Sequence, residues 1–183
     1  MEQVIDVLER RISDLTGWRA SLRSLESLER LLHGTAFEEI IRLYQSLPVC
    51  GITVAFTTDQ QQVARSPDSH FMVDYDPAHE HEFQFASATD ILREISDTWC
   101  GQAVLAKGLL FIGMPPMGGD GYFIRYDPSD DRTVQLCQVY YDHVLDGNPI
   151  VVTPAAVHLV CLSFATALEV ARLDPPSMPN VDK

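Results

Sequence analysis

The stretch Gly108 to His143, GLLFIGMPPMGGDGYFIRYDPSDDRTVQLCQVYYDH, decides the fold. It reads as three strands: an apolar run Leu109-Leu110-Phe111-Ile112, an aromatic run from Gly121 to Tyr126, and a third from Thr133 to Tyr141. Met114 to Asp120, with paired prolines and glycines, and Asp127 to Arg132, opening on Asp-Pro, have turn compositions. Neither connection is long enough for a crossover helix. Successive strands are therefore expected to pair antiparallel, as a meander.

Outward from this centre, helices flank the sheet. Val4, Ile5, Leu8, Ile12 and Leu15 share a helical face that Gly17 ends, and Leu22, Leu25, Leu28, Leu31 and Leu32 repeat the pattern up to His33-Gly34. Thr35-Ala36-Phe37-Glu38 has the form of a capping box, ahead of a third stripe of Phe37, Ile40, Ile41, Tyr44 and Leu47 that Pro48 closes. Gly51 to Thr57, Phe71 to Tyr75 and Phe83-Gln84-Phe85 are strand candidates, with Gln60 to Asp68 as a loop and Asp76 to Glu82 as the turn of a hairpin. Ser87 to Asp90 offers caps for a helix carrying Ile91, Leu92, Ile95 and Trp99. Asp146 to Pro149 is a turn and Ile150-Val151-Val152 a brief extended run. Thr153-Pro154 then predicts the start of the longest helix, through Val157, Val160, Cys161, Phe164, Leu168 and Leu173. The expected architecture is one α+β domain over residues 1–173, a mostly antiparallel sheet with three N-terminal helices and a long C-terminal one. Residues 174–183 are expected to form a flexible tail.

Composition bounds the function. The chain has 183 residues, 46% of them hydrophobic and 21% charged, which is globular. Twenty-six acidic against thirteen basic side chains give a formal charge of −13, which repels nucleic acid and anionic membranes and raises the encounter rate with a basic protein. The N-terminus lacks a signal-peptide core, and no run approaches the roughly 18 apolar residues of a membrane span, so a cytoplasmic protein is expected. Cys50, Cys100, Cys137 and Cys161 form no C-x-x-C pair and read as buried thiols in a reducing compartment.

Several clusters invite chemistry. His79-Glu80-His81-Glu82, with Asp74 and Asp76 near in sequence, reads either as a metal site of a hydrolase or as a solvated turn, and lacks H-E-x-x-H spacing. Gly118-Gly119-Asp120-Gly121 precedes a strand where a phosphate loop needs a helix, so its glycines are expected to permit a tight or left-handed turn. Asp142-His143 ends a strand, where neighbours face opposite ways, and no nucleophile signature accompanies it. Asp127, Asp130 and Asp131 form an acidic turn without EF-hand spacing. Trp99 reads as core, and one of Tyr140 and Tyr141 must face outward, where it can anchor a partner.

Together, Gly108-Leu109-Leu110-Phe111-Ile112-Gly113, Gly119-Asp120-Gly121-Tyr122-Phe123-Ile124, Val139-Tyr140-Tyr141-Asp142-His143 and Ser163-Phe164-Ala165-Thr166-Ala167-Leu168 resemble, in order and spacing, the SMI1/KNR4-like or SUKH superfamily. The resemblance covers roughly the C-terminal 85 residues and is carried by four motifs together. The first half departs from the pattern: Leu47-Pro48 runs straight into Cys50-Gly51, and the family's Asn-Gly step is missing there. The resemblance implies a single α+β domain without catalysis or cofactor. Many bacterial members are immunity proteins that neutralise nuclease or deaminase toxin domains, and fungal relatives are regulatory scaffolds. The expected partner is thus a cognate toxin domain or another basic protein, the alternative being an intracellular adaptor. A meander brings its first connection and the end of its third strand to the same sheet end, which selects Asp120, Tyr122, Tyr140, Asp142 and His143 as the expected partner-binding residues.

Overall fold

A computed structural model describes residues 1–12, 17–58, 80–98, 101–127, 130–145 and 150–176. Among them the fold is α+β, built on one seven-stranded antiparallel sheet. The meander is its centre: β3 (Leu110–Met114), β4 (Gly121–Asp127) and β5 (Asp130–Val139) lie side by side. β1 (Thr53–Thr57) and β2 (Glu80–Phe85) extend the sheet beyond β3. Two short strands, β6 (Val144–Leu145) and β7 (Val151–Val152), form a separate ladder. The seven-stranded sheet ends at β8 (Val157–Cys161) beside β5 and at β9 (Arg172–Asp174) beside β1, in the order β8-β5-β4-β3-β2-β1-β9.

Helices cover both faces. α1 (Glu2–Arg11) packs on α6 (Phe164–Val170), with Arg10 Nη2 on Glu169 Oε1 at 2.5 Å and Arg11 donating to the Leu168 carbonyl. Phe164 of α6 meets Phe83 and Phe85 at ring separations of 6.1 and 6.3 Å, and Tyr122 stacks on Phe83 at 5.0 Å. Each such fully buried ring contributes ~1.5–3 kcal/mol by leaving water. On the opposite face Phe111 and Phe123 pack edge to face at 5.5 Å, under α4 (Ala88–Asp97). α2 (Leu22–Leu32) leans on α4, where Ser24 and Thr89 hydroxyls meet at 2.8 Å. From α3 (Ile40–Ser46) the buried Tyr44 phenol donates to the Ala86 carbonyl at 3.0 Å.

Local chemistry explains where the elements start. Ser87 closes a reciprocal capping box with Asp90 at the head of α4, its hydroxyl accepting from Asp90 N at 3.1 Å while Asp90 Oδ2 accepts from Ser87 N at 3.3 Å. Thr35 does not do the same for α3. Its hydroxyl donates to Leu32 O at 2.7 Å and accepts from Phe37 N at 3.2 Å, forming a turn that finishes α2, and α3 begins only at Ile40. α1 runs to Arg11, the expected Leu15 lies outside the described residues, and α5 (Gly101–Ala106) is a further helix ahead of the meander.

The long C-terminal helix is the main correction. Thr153 donates its hydroxyl to the His143 carbonyl at 2.8 Å, and Pro154–Ala156 makes only one 3₁₀ turn. Val157, Leu159 and Cys161 then pair along β5 as a strand. Ser163 caps the short α6, accepting from Thr166 N at 3.2 Å, and Arg172-Leu173-Asp174 returns as β9 against β1. An apolar run such as Val157 to Cys161 has no decisive period, and a ten-residue β5 with an open edge supplies the pairing that makes it a strand.

Two smaller corrections concern the expected hairpin turn and the Asp142-His143 step. Glu80, His81 and Glu82 belong to β2, alternating exposed and buried, whereas Asp76 to His79 lie outside the described residues. Asp142 and His143 sit in a 3₁₀ turn, Tyr141–His143, that follows β5. The strand expected at Phe71 to Tyr75, the loop at Gln60 to Asp68, Trp99, Cys100 and residues 177–183 of the tail also lie outside the described residues.

Candidate functional site

The register of β4 on β5 pairs Gly121 with Val139, which sets Asp120 beside the residues that follow Val139. Asp120 Oδ1 accepts the backbone N–H of Tyr141 at 3.2 Å, tying the first connection of the meander to the end of its third strand. Asp120, Tyr140, Asp142 and His143 then surround one open depression of about 320 Å³, together with Ala155 and His158. Four of the five expected residues are thus brought together.

The fifth, Tyr122, is not in this lining. It is 3% exposed and points into the sheet core, where its hydroxyl lies 3.2 Å from His81 Nδ1. Burial above all, and then the nearness of Tyr140, raise its phenol well above the ordinary range. Tyr122 thus lies beneath the surface, behind the residues that line the depression.

Short-range constraints hold the depression in shape. Tyr140 N donates to Ala156 O at 2.8 Å, and His143 N to Tyr140 O at 3.1 Å. The Tyr140 and His158 rings meet nearly perpendicular, with centroids 4.1 Å apart, and His158 Nε2 lies 3.1 Å from Ala155 O. Behind the lip, the Tyr141 phenol donates to Glu94 Oε1 at 2.9 Å, and Thr98 donates to the same oxygen at 3.0 Å. Glu94 is only 8% exposed, so these bonds matter to a carboxylate removed from most of its water. Tyr141 also packs edge-on against Phe123 at 6.4 Å.

Sequence reasoning missed His158, Ala155 and Glu94. The first two were expected inside a helix, and Glu94 reaches Tyr141 only through the packing of α4 on the sheet. No spacing signal joins positions brought together by strand pairing at such separation.

The other clusters are placed differently. Asp127 and Asp130 sit at the far end of the β4–β5 pair, where Gln135 bridges Arg125 at 2.6 Å and Asp127 Oδ2 at 2.8 Å. Asp130 accepts from Thr133 Oγ1 at 2.6 Å and Arg132 N at 3.1 Å, and these two bonds lower its carboxyl below the ordinary value. Asp131 shares that strand. His81 is 9% exposed and stacks on Phe56 at 5.7 Å, while Glu82 is exposed and faces Arg172 at 3.7 Å. His79, Asp74 and Asp76 lie outside the described residues, and among those described no group of three or more His, Cys, Asp or Glu side chains is placed to hold a metal ion. Gly118 and Gly119 have φ of +80° and +121°, the left-handed turn expected of them. Cys50, Cys137 and Cys161 are buried thiols. No helix among the described residues is long and apolar enough to cross a membrane.

Compared with protein-family models, with curated proteins and with solved structures, the chain matches none.

Proposed function

We propose that the chain is a protein-binding domain of the SMI1/KNR4-like kind, an immunity protein that neutralises a cognate nuclease or deaminase toxin domain by covering its active surface. The observation that carries this reading is the gathering of Asp120, Tyr140, Asp142 and His143 around one open depression. An aromatic ring beside exposed carboxylates is a common build for an interface hot spot. Among the described residues no lysine or arginine lines the depression, and the formal charge of the chain is −13. A toxin that holds nucleic acid is basic where it does so, and an acidic surface both steers toward such a face and competes for it.

The test starts from the neighbouring gene. Where it encodes a large protein with a C-terminal toxin domain, expression of that domain alone stops growth, and co-expression of this chain restores it with a co-purifying complex. Growth arrest that persists in the presence of the folded chain overturns the immunity reading. A complex with a non-toxic protein in its place supports the adaptor.

A further inference from the structure

The acidic depression and the connection that borders it have a second feature in common. Pro115 to Gly118 is a tight turn, closed by Gly118 N donating to Pro115 O at 2.9 Å, and it presents Met117 with 97% of its surface exposed. Adjacent prolines restrict this backbone, so Met117 is held out by a stiff turn. Three peptide units keep its Cα within about 11 Å of that of Asp120. A large apolar side chain held in water next to a pocket resembles a contact residue more than a core one, since Met adapts to irregular surfaces.

The depression has a definite chemistry. Its volume of about 320 Å³ corresponds to on the order of ten waters, room for a long side chain and too little for a folded element. Tyr140 and His158 bring aromatic rings to its lining residues, and Asp120 and Asp142 are the acidic residues among them. A planar, weakly hydrated cation that stacks on rings and bonds carboxylates with several N–H groups suits such walls better than a compact ammonium.

We propose that this end of the sheet docks a basic protein segment through one arginine, whose guanidinium enters the depression against Tyr140 between Asp120 and Asp142, while Met117 covers an adjoining apolar residue of the same segment. The inference rests on the protein-binding reading above and names the chemistry of the partner's anchor. Asp120 Oδ1 holds the lip through Tyr141 N, and in the proposed complex its second oxygen accepts from the guanidinium. The lip is therefore organised before the arginine arrives, which lowers the ordering cost of binding.

The experiment titrates the full isotope-labelled chain with a blocked tetrapeptide containing leucine next to arginine, and with its lysine, citrulline and glycine-for-leucine counterparts. The arginine peptide is expected to shift the backbone amides of Asp120 and of Tyr140 to His143, more tightly than the lysine peptide, and citrulline to shift none of them. Asp120→Asn/Asp142→Asn keeps an acceptor for Tyr141 N and removes both charges, and is expected to weaken the arginine peptide by about tenfold. Met117→Ser, at a position that touches little, is expected to remove the advantage of the leucine peptide over its glycine counterpart. Shifts scattered over the surface, equal binding of citrulline, or undiminished binding by the Asn variant overturns the proposal. Localised arginine binding together with failed rescue from the toxin keeps this surface and removes the immunity reading. Rescue that the Asn variant leaves intact, without peptide shifts, removes this surface alone.

Discussion

Glu94 and Tyr141 are 47 residues apart in the chain and joined at 2.9 Å, the phenol donating to the carboxylate. This bond fastens α4 to the turn that carries Asp142 and His143, so the lip of the depression is set by the packing of α4 over the Phe123 face of the sheet. Tyr141→Phe keeps the ring against Phe123 and deletes the donor. Unfolding in urea is expected to show a loss of ~1–3 kcal/mol, the range for a bond to a buried polar group. A change below a few tenths contradicts a structural role for the pair.

Gly121 and Gly118 answer to different constraints. A Cβ on Gly121 would lie 2.8 Å from the Tyr141 hydroxyl, 2.9 Å from Phe123 and 3.0 Å from Phe111, inside a packed set of rings. Gly121→Ala is expected to destabilise by ~1–3 kcal/mol and to shift the Tyr141 resonances, because overpacked rings must move. A Cβ on Gly118 meets nothing within 4 Å, but its φ of +80° strains any L side chain. Gly118→Ala is expected to cost ~1–2 kcal/mol without disturbing Tyr141.

Alkaline pH acts through the tyrosines. Burial, followed by the charge of Glu39 and a hydrogen bond to it at 3.4 Å, pushes the Tyr126 phenol up to about 12 from an ordinary 10.0, and burial likewise raises Tyr44 and Tyr122. Folding keeps these phenols neutral. Their contribution to stability is therefore whole below pH 10.0, and it falls as the pH rises through 12, because the unfolded chain releases protons that the native one retains. Chemical unfolding midpoints measured across this window should decline, and phenolate absorbance of the native protein should lag that of the unfolded chain. A flat midpoint contradicts the burial of these rings.

Cys161 should resist thiol reagents. Burial first, and then the nearby Cys137, raise its thiol to about 12, against opposing hydrogen bonds from the backbone of Leu136 and Ser163. At mildly alkaline pH the native protein should label Cys50, Cys137 and Cys161 only as fast as it unfolds. Rapid labelling mapped to Cys161 by mass spectrometry contradicts the packing of β8 on β5.

Charge reversal separates the proposed surface from the rest. With the proposed toxin domain as partner, Asp120→Lys/Asp142→Lys should slow association by at least about tenfold at low salt, with a smaller effect at high salt. Glu26→Lys/Glu29→Lys, on the exposed side of α2, makes the same change in net charge away from the depression. Equal slowing by the two pairs points to the overall field of the chain and away from this lip.

Near neighbours in the chain already determine much of this protein. The apolar and aromatic runs of the meander, separated by connections too short for a crossover, dictate antiparallel β3, β4 and β5. The same reasoning brings Asp120 to the end of the sheet that holds Asp142 and His143. The Ser87 cap and the left-handed turn at Gly118-Gly119 are also local matters, because backbone preference and hydrogen bonding act over a few residues.

Tertiary structure decided what local patterns leave open. Val157 to Cys161 is apolar enough for either a buried helix or a buried strand, and only the open edge of β5 makes it β8. His81 and Tyr122 are drawn inward because Phe56, on the strand beside β2, and Phe83, two strands away from β4, offer rings to pack on. Glu94, Ala155 and His158 join the site through contacts between segments distant in sequence. Such contacts are favourable only after the sheet has formed, since until then the entropy of closing the intervening chain opposes them.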